Sequence, residues 1–128
     1  MLVTGGTGSL GQTLVRRVLE GRWGRPASVT VFSRDEAKQH RMRADFLRQA
    51  ATTEDAAYMD ASRDLRFVIG DVRDYGSVVR ALRHADIVVN AAALKQVPSC
   101  ENFPYEAVRT NVEGAEHIVR AISEHDLP

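Results

Sequence analysis

Cysteine is nearly absent. Cys100 stands alone in 128 residues, which excludes an internal disulfide framework and fits a reducing compartment. An excess of one charge is absent too. Seventeen Lys and Arg meet seventeen Asp and Glu, so the formal net charge is zero and no single-signed field draws in nucleic acid or a membrane surface. No apolar run approaches the roughly 20 residues of a membrane span. No basic segment precedes an apolar one at the N-terminus, as a signal peptide requires. His40, His84, His117 and His125 show no metal-ligand spacing, and Glu113 with His117, one helical turn apart, reads as a surface pair. Repeats and low-complexity segments are lacking as well. What is present is ordinary globular composition, 44% apolar and 27% charged, in a chain long enough for one core without staples. The expectation is a single cytoplasmic domain over residues 1–128, with neither nucleic acid nor membrane as partner.

Short β-branched runs alternate with longer amphipathic stretches. Strands are expected at residues 2–4, 29–32, 65–69 and 87–89. A helix over 10–20 would bury Leu10, Leu14, Val15, Val18 and Leu19, with Gly21 as its C-terminal cap. From Glu36 a charged helix carries Met42, Phe46 and Leu47 as its apolar stripe, while residues 49–64 read equally as helix extension or loop. Tyr75, Val78, Val79 and Leu82 face one side of a short helix. Pro104 suits a first helical turn, and Val108, Val112, Ala115, Val119 and Ile122 follow at helical spacing. This rhythm predicts an α/β fold, a Rossmann-like doubly wound parallel sheet in the order 3-2-1-4. The strands are apolar enough to be buried on both faces. The sheet is expected to be cut before a fifth strand. An open fourth strand, or the helix face with Val108, Val112, Val119 and Ile122, then predicts a homo-oligomer.

Thr4-Gly5-Gly6-Thr7-Gly8-Ser9-Leu10-Gly11 joins the first strand to the first helix. Gly5, Gly8 and Gly11 recur every third residue, where a tight turn asks for positive φ and a side chain at Gly8 would block a pyrophosphate from the backbone. The helix N-terminus adds free N–H groups and a positive dipole end. Gly5, Thr7, Gly8, Ser9, Leu10 and Gly11 are therefore candidate phosphate contacts of a dinucleotide. A P-loop needs a lysine where Gln12 stands. Ser33 ends the second strand and Arg34 follows; Arg34, with Lys38, suits a 2′-phosphate, which favours NADP over NAD. A solvated basic face shared with Arg41 and Arg43 is the competing reading. Asp71 is placed to accept from an adenine amino group and Val72 to pack on the ring, with Asp74 as helix cap leaving Asp71 free. The small residues Asn90, Ala91, Ala92 and Ala93 let the backbone approach a cofactor. Cys100 reads as an inert thiol.

Taken together these residues resemble the extended branch of the short-chain dehydrogenase/reductase superfamily. The narrower resemblance rests on Val3-Thr4-Gly5-Gly6-Thr7-Gly8-Ser9, Phe32-Ser33-Arg34-Asp35-Glu36, Ile69-Gly70-Asp71-Val72-Arg73-Asp74, Ala91-Ala92-Ala93-Leu94-Lys95-Gln96-Val97-Pro98 and Thr110-Asn111-Val112-Glu113-Gly114-Ala115. These are similar to polysaccharide-biosynthesis sugar-nucleotide dehydratases, among them the inverting UDP-N-acetylglucosamine 4,6-dehydratases. The resemblance implies a UDP-sugar substrate and NADP as hydride carrier. Hydride leaves sugar C4, a base takes the C5 proton, water leaves from C6, and hydride returns to C6. It also implies that Lys95 lies near the nicotinamide end and that Asn111 organises a proton-relay water. The family's acid–lysine pair and Tyr-x-x-x-Lys are expected beyond Pro128. Tyr105 is followed by Arg109 where that motif needs Lys, so it reads as a packing residue. The expectation is the NADP(H)-binding portion of such an enzyme, without its substrate lobe and inactive by itself. The alternatives are a stand-alone dinucleotide-binding module, a catalytically silent truncated reading frame, or an atypical reductase completed by a partner chain.

Overall fold

A computed structural model describes residues 1–22, 24, 26–53, 60 and 64–125. Its elements run β1 (Leu2–Thr4), α1 (Ser9–Leu19), β2 (Val29–Ser33), α2 (Glu36–Thr52), β3 (Leu65–Ile69), α3 (Tyr75–Leu82), β4 (Val88–Asn90), α4 (Val97–Asn102), α5 (Pro104–Val108) and α6 (Gly114–Glu124). A π-helical stretch, Arg109–Glu113, joins α5 to α6. The four strands are parallel in the order β3-β2-β1-β4, the order the alternating pattern predicts.

Side-chain alternation sends the two faces of the sheet to two cores. Val3, Val29 and Val31 meet Val15, Val18 and Leu19 of α1 and Met42 and Phe46 of α2. Leu2 and Phe32 meet Val78 and Leu82 of α3 and Ile118 and Ala121 of α6. Helices thus cover both faces, as a doubly wound sheet requires. Among the described residues only β1 and β2 have a paired strand on each side. β3 is an edge strand, which leaves Val68 and Ile69 exposed, and β4 starts at Val88 with Ile87 exposed before it.

Local signals set the helix ends. Gly21, at φ 73, takes the left-handed position just past α1. Asp35 caps α2 by accepting from the Lys38 backbone N–H at 2.9 Å. Asp74 caps α3 by accepting from the backbone N–H groups of Gly76 and Ser77. Within residues 49–64, α2 continues to Thr52; residues 54–59 and 61–63 lie outside the described residues.

Three apolar stripes depart from expectation. Leu10 is 65% exposed; Gly11 takes its place against the core. In α2 the buried series is Gln39, Met42, Phe46 and Ala50, which leaves Leu47 outside. Along α5, the π-helical stretch and α6 the stripe of Val108, Val112, Val119 and Ile122 faces solvent, and Thr110, Gly114, Ile118 and Ala121 are buried instead. The reason is close approach: a Cβ on Gly114 would sit 2.7 Å from Val72 Cγ2, so small residues make that contact and the larger valines are turned away.

Candidate functional site

The carboxyl ends of the four strands open into a cleft of about 540 Å³. This is where ligands of doubly wound sheets bind, at the point where strand order reverses. Gly5, Thr7, Gly8, Ser9, Leu10 and Gly11 line it from the β1–α1 turn. Ser33 and Arg34 line it from the end of β2, Lys38 from the first turn of α2, Asp71 and Val72 from the loop after β3, Asn90 from the end of β4, and Ala91, Ala92 and Lys95 from the loop beyond it. Ala93, read with the small-residue run, lines it too; Phe32, Asp35, Gly70 and Thr110 also line it, and sequence reasoning did not single them out for it. Asn111 stays off the wall. Its Oδ1 accepts from the Leu94 N–H at 2.8 Å and its Nδ2 donates to the Leu94 carbonyl at 2.9 Å. Asn111 therefore ties the loop after β4 to the π-helical stretch.

The glycines of the turn have three separate reasons. Gly5 has φ 60, and a Cβ there would lie 2.6 Å from the backbone of Ala91 and Ala92. Gly11 lets α1 approach the turn, since its Cβ would lie 2.5 Å from Gly6 Cα. Gly8 has φ −75 and ψ 167, ordinary extended backbone, and its Cβ would meet only the Gly5 carbonyl oxygen at 3.2 Å. Positive φ is thus a property of Gly5 alone among these three. At Gly8 a side chain is excluded by neither backbone strain nor a severe clash; it would stand in the cleft. Gln12 N donates to Gly8 O at 2.9 Å as the first bond of α1, so the N–H groups of Ser9, Leu10 and Gly11 lie outside the helix's own bonding. The arrangement suits an anion. The Gln12 side chain donates to Thr7 O at 2.7 Å, fastening the turn where a P-loop lysine would reach a phosphate.

Polar contacts shape the rest. Thr4 Oγ1 donates to Asn90 Oδ1 at 2.5 Å, and the Ala92 N–H donates to the same oxygen at 3.3 Å, which holds the small-residue loop beside Gly5. The buried Gln39 amide donates to Ser33 O, Ser33 Oγ and Val68 O, joining α2 to β2 and β3. The Ser33 hydroxyl keeps its proton to donate. Arg34 is half exposed, with Nη1 3.6 Å from Asp71 Oδ2. Lys38 Nζ is 3.6 Å from Asp35 Oδ2, and the backbone bond from Lys38 is the main reason the Asp35 carboxyl sits below its ordinary range. Asp71 is not free, although Asp74 does cap α3. Burial penalises the Asp71 charge, but the bonds from Arg73 and the nearby Arg34 outweigh it and hold the carboxyl below its ordinary range. Thr110 is 5% exposed, lines the cleft, and has no partner for its Oγ1 among the described residues. The π-helical stretch that presents it leaves no signature in composition or spacing.

The contours suit a dinucleotide: an open floor at Gly8 over free N–H groups, cations beside Ser33, and a carboxylate with Val72 at the far wall. Residues 1–127 match the family described as polysaccharide biosynthesis protein. The UDP-glucose 4-epimerase of Rickettsia bellii (strain OSU 85-389) is 41% identical over 122 residues, 94% of this chain and 32% of that protein. Pen from Bacillus thuringiensis superposes with a TM-score of 0.78 at 35% identity, over 94% of this chain and 32% of its own. A double mutant of DesIV, a dTDP-glucose 4,6-dehydratase from Streptomyces venezuelae with NAD and DAU bound, gives a TM-score of 0.74 at 28% identity, over 98% of this chain and 36% of its own. The chain spans about a third of the length of these relatives. Its sheet order and glycine turn bear out the resemblance to the extended short-chain dehydrogenase/reductases, and the chain belongs to the polysaccharide biosynthesis protein family.

Proposed function

We propose that the chain is the NADP(H)-binding part of a sugar-nucleotide 4,6-dehydratase or epimerase. The substrate is a UDP-sugar of the UDP-N-acetylglucosamine type, in cytoplasmic polysaccharide or glycan synthesis. The observation that carries this reading is the empty space over Gly8 beside the unbonded N–H groups of Ser9, Leu10 and Gly11. In this reading Gly5, Thr7, Gly8, Ser9, Leu10 and Gly11 hold the pyrophosphate, and Ser33, Arg34 and Lys38 hold the 2′-phosphate. Asp71 and Val72 hold the adenine, while Asn90, Ala91, Ala92 and Lys95 border the nicotinamide half. The bound cofactor supplies reversible hydride transfer. The chain's residues bind and orient it, and the unpartnered Thr110 hydroxyl is suited to a ribose or amide group. No helix among the described residues is long and apolar enough to cross a membrane.

Cofactor choice tests the reading. A charge-assisted contact from Arg34 to a 2′-phosphate is worth about 1.5–3 kcal/mol. That corresponds to a preference for NADP+ over NAD+ of roughly 10- to 100-fold. Arg34→Ala erases the preference and leaves NAD+ affinity nearly unchanged. Equal dissociation constants for both dinucleotides in the unmodified chain contradict the assignment.

Self-association is part of the proposal. Val108, Val112, Val119 and Ile122 are all exposed to solvent, large apolar side chains that association would cover. Light scattering is expected to report a mass above that of one chain as concentration rises, and a monomer at all concentrations contradicts this.

A further inference from the structure

A network of side chains runs from Asp71 at the far wall of the cleft to α5. Arg73 holds Asp71 three times. Its Nε donates to Oδ2 at 2.9 Å, its Nη2 to Oδ2 at 2.7 Å, and its backbone N–H to Oδ1 at 3.0 Å. The remaining guanidinium nitrogen, Nη1, donates to Glu106 on α5, which Arg109 flanks at 3.8 Å. Both side chains of the clamp are mostly shielded, Arg73 at 22% and Asp71 at 25% exposure, so solvent screens them less than a surface pair.

A carboxylate offers about four acceptor positions, two on each oxygen. Oδ2 takes both side-chain bonds of Arg73, with Arg34 next to it. Oδ1 takes only the backbone N–H of Arg73. The acceptor capacity that Asp71 has left therefore lies on Oδ1. The direction of that oxygen is set by a guanidinium anchored on a different element of the fold.

We propose that Arg73 is the positioning residue for nucleobase recognition: by clamping Asp71 it leaves one fixed acceptor in the cleft, which selects a 6-amino purine over a 6-oxo purine. The inference rests on the reading that the cleft takes a dinucleotide with its base at Asp71. An ionised carboxylate only accepts. A 6-amino group donates to it, whereas a 6-oxo group brings a second acceptor and repels it. A protonated Asp71 would donate to the 6-oxo group, and the discrimination would vanish. Burial pushes Asp71 toward that neutral form and Arg73 opposes it. The other charged groups around Asp71 are Arg34 at the end of β2, Glu106 and Arg109 behind Arg73, and Asp74, whose carboxylate is turned to the α3 N–H groups.

The test compares dissociation constants of NADP+ and its deaminated analogue, nicotinamide hypoxanthine dinucleotide phosphate, from about pH 8 down to about pH 5.5. The chain, Arg73→Gln and Glu106→Gln are each titrated, with circular dichroism as the folding control. The unmodified chain is expected to prefer NADP+ on the order of tenfold across the range. Arg73→Gln loses most of that preference at high pH and the rest as pH falls, because burial then acts on Asp71 with less opposition. Glu106→Gln, on the half-exposed surface of α5, loosens the anchor but keeps Arg73, and shifts the ratio in the same direction by less. A part that only holds the loop together would lower both affinities equally and leave ratio and pH profile flat. That result with Arg73→Gln overturns the inference while the cofactor reading stands; if Arg73→Gln does not fold, an unchanged ratio in Glu106→Gln does the same. Equal binding of both dinucleotides by the unmodified chain overturns the inference directly. Binding of neither overturns the cofactor reading along with it.

Discussion

Gly8→Val is expected to abolish NADP+ binding in a chain that still folds. The backbone at Gly8 already has φ −75 and ψ 167, which valine adopts without strain. The first added carbon would meet one atom, the Gly5 carbonyl oxygen at 3.2 Å, a contact relieved by a shift of a few tenths of an ångström. The two methyl groups beyond it would occupy the cleft beside the N–H groups of Ser9, Leu10 and Gly11. A dinucleotide's pyrophosphate would lose its approach to those donors, and charge-assisted bonds of this kind are worth about 1.5–3 kcal/mol each. Losing two or more lowers affinity by roughly 10²-fold or beyond. Equivalent changes at Gly5 or Gly11 would not be informative, because a side chain there strikes backbone and disturbs the fold itself. Circular dichroism with a dinucleotide titration checks the variant. A folded Gly8→Val chain that binds NADP+ normally would show that the turn does not cradle phosphate.

No 4-keto-6-deoxy product is expected when the chain is incubated with NADP+ and UDP-N-acetylglucosamine and followed by NMR. The dehydration needs a base at C5 and an acid for the leaving water. The amide of Asn111 is committed to Leu94. Tyr105 is 67% exposed, lies off the cleft wall and stacks near Arg109, whose guanidinium carbon is 6.0 Å from the ring centre. Of the groups raised as catalytic candidates, Lys95 alone lines the cleft. One lysine does not supply a complementary acid and base. General acid–base groups contribute about 10²- to 10⁴-fold each, and groups that act as a unit fail as a unit. Turnover is therefore expected to fall below detection. Clear product formation would place a competent base within these residues, and Lys95 and Tyr105 would be the first to substitute.

The sheet order and the walls of the cleft were legible because they follow from strong local rules. A β-branched run ending in glycines before an amphipathic stretch allows few geometries, and parallel crossovers have one favoured hand. The same logic located Ser33, Asp71 and Asn90 at strand ends. Side-chain size misled where close packing ruled. Leu10 and the valines of the last helix look like core by spacing, yet Gly11 and Gly114 make the contacts, because only they let a helix come near the turn and Val72. Gln39 went unnoticed because a buried amide that joins two strand ends looks, in sequence, like any polar helix residue. Thr110 is presented by a π-helical stretch, which no apolar period announces. Asp71 read as free because its holder, Arg73, is two residues away in a loop whose conformation decides whether the pair meets.

Thermal unfolding of the chain against increasing NADP+ tests the central claim most directly. A ligand that binds only the folded state, at about 100 times its dissociation constant, stabilises by about 2.7 kcal/mol, which for a domain of this size raises Tm by roughly 10 °C. A saturable rise of that order, absent in Gly8→Val, is the predicted result. A Tm that does not move at millimolar NADP+ or NAD+ would contradict the assignment of this cleft to a nicotinamide dinucleotide.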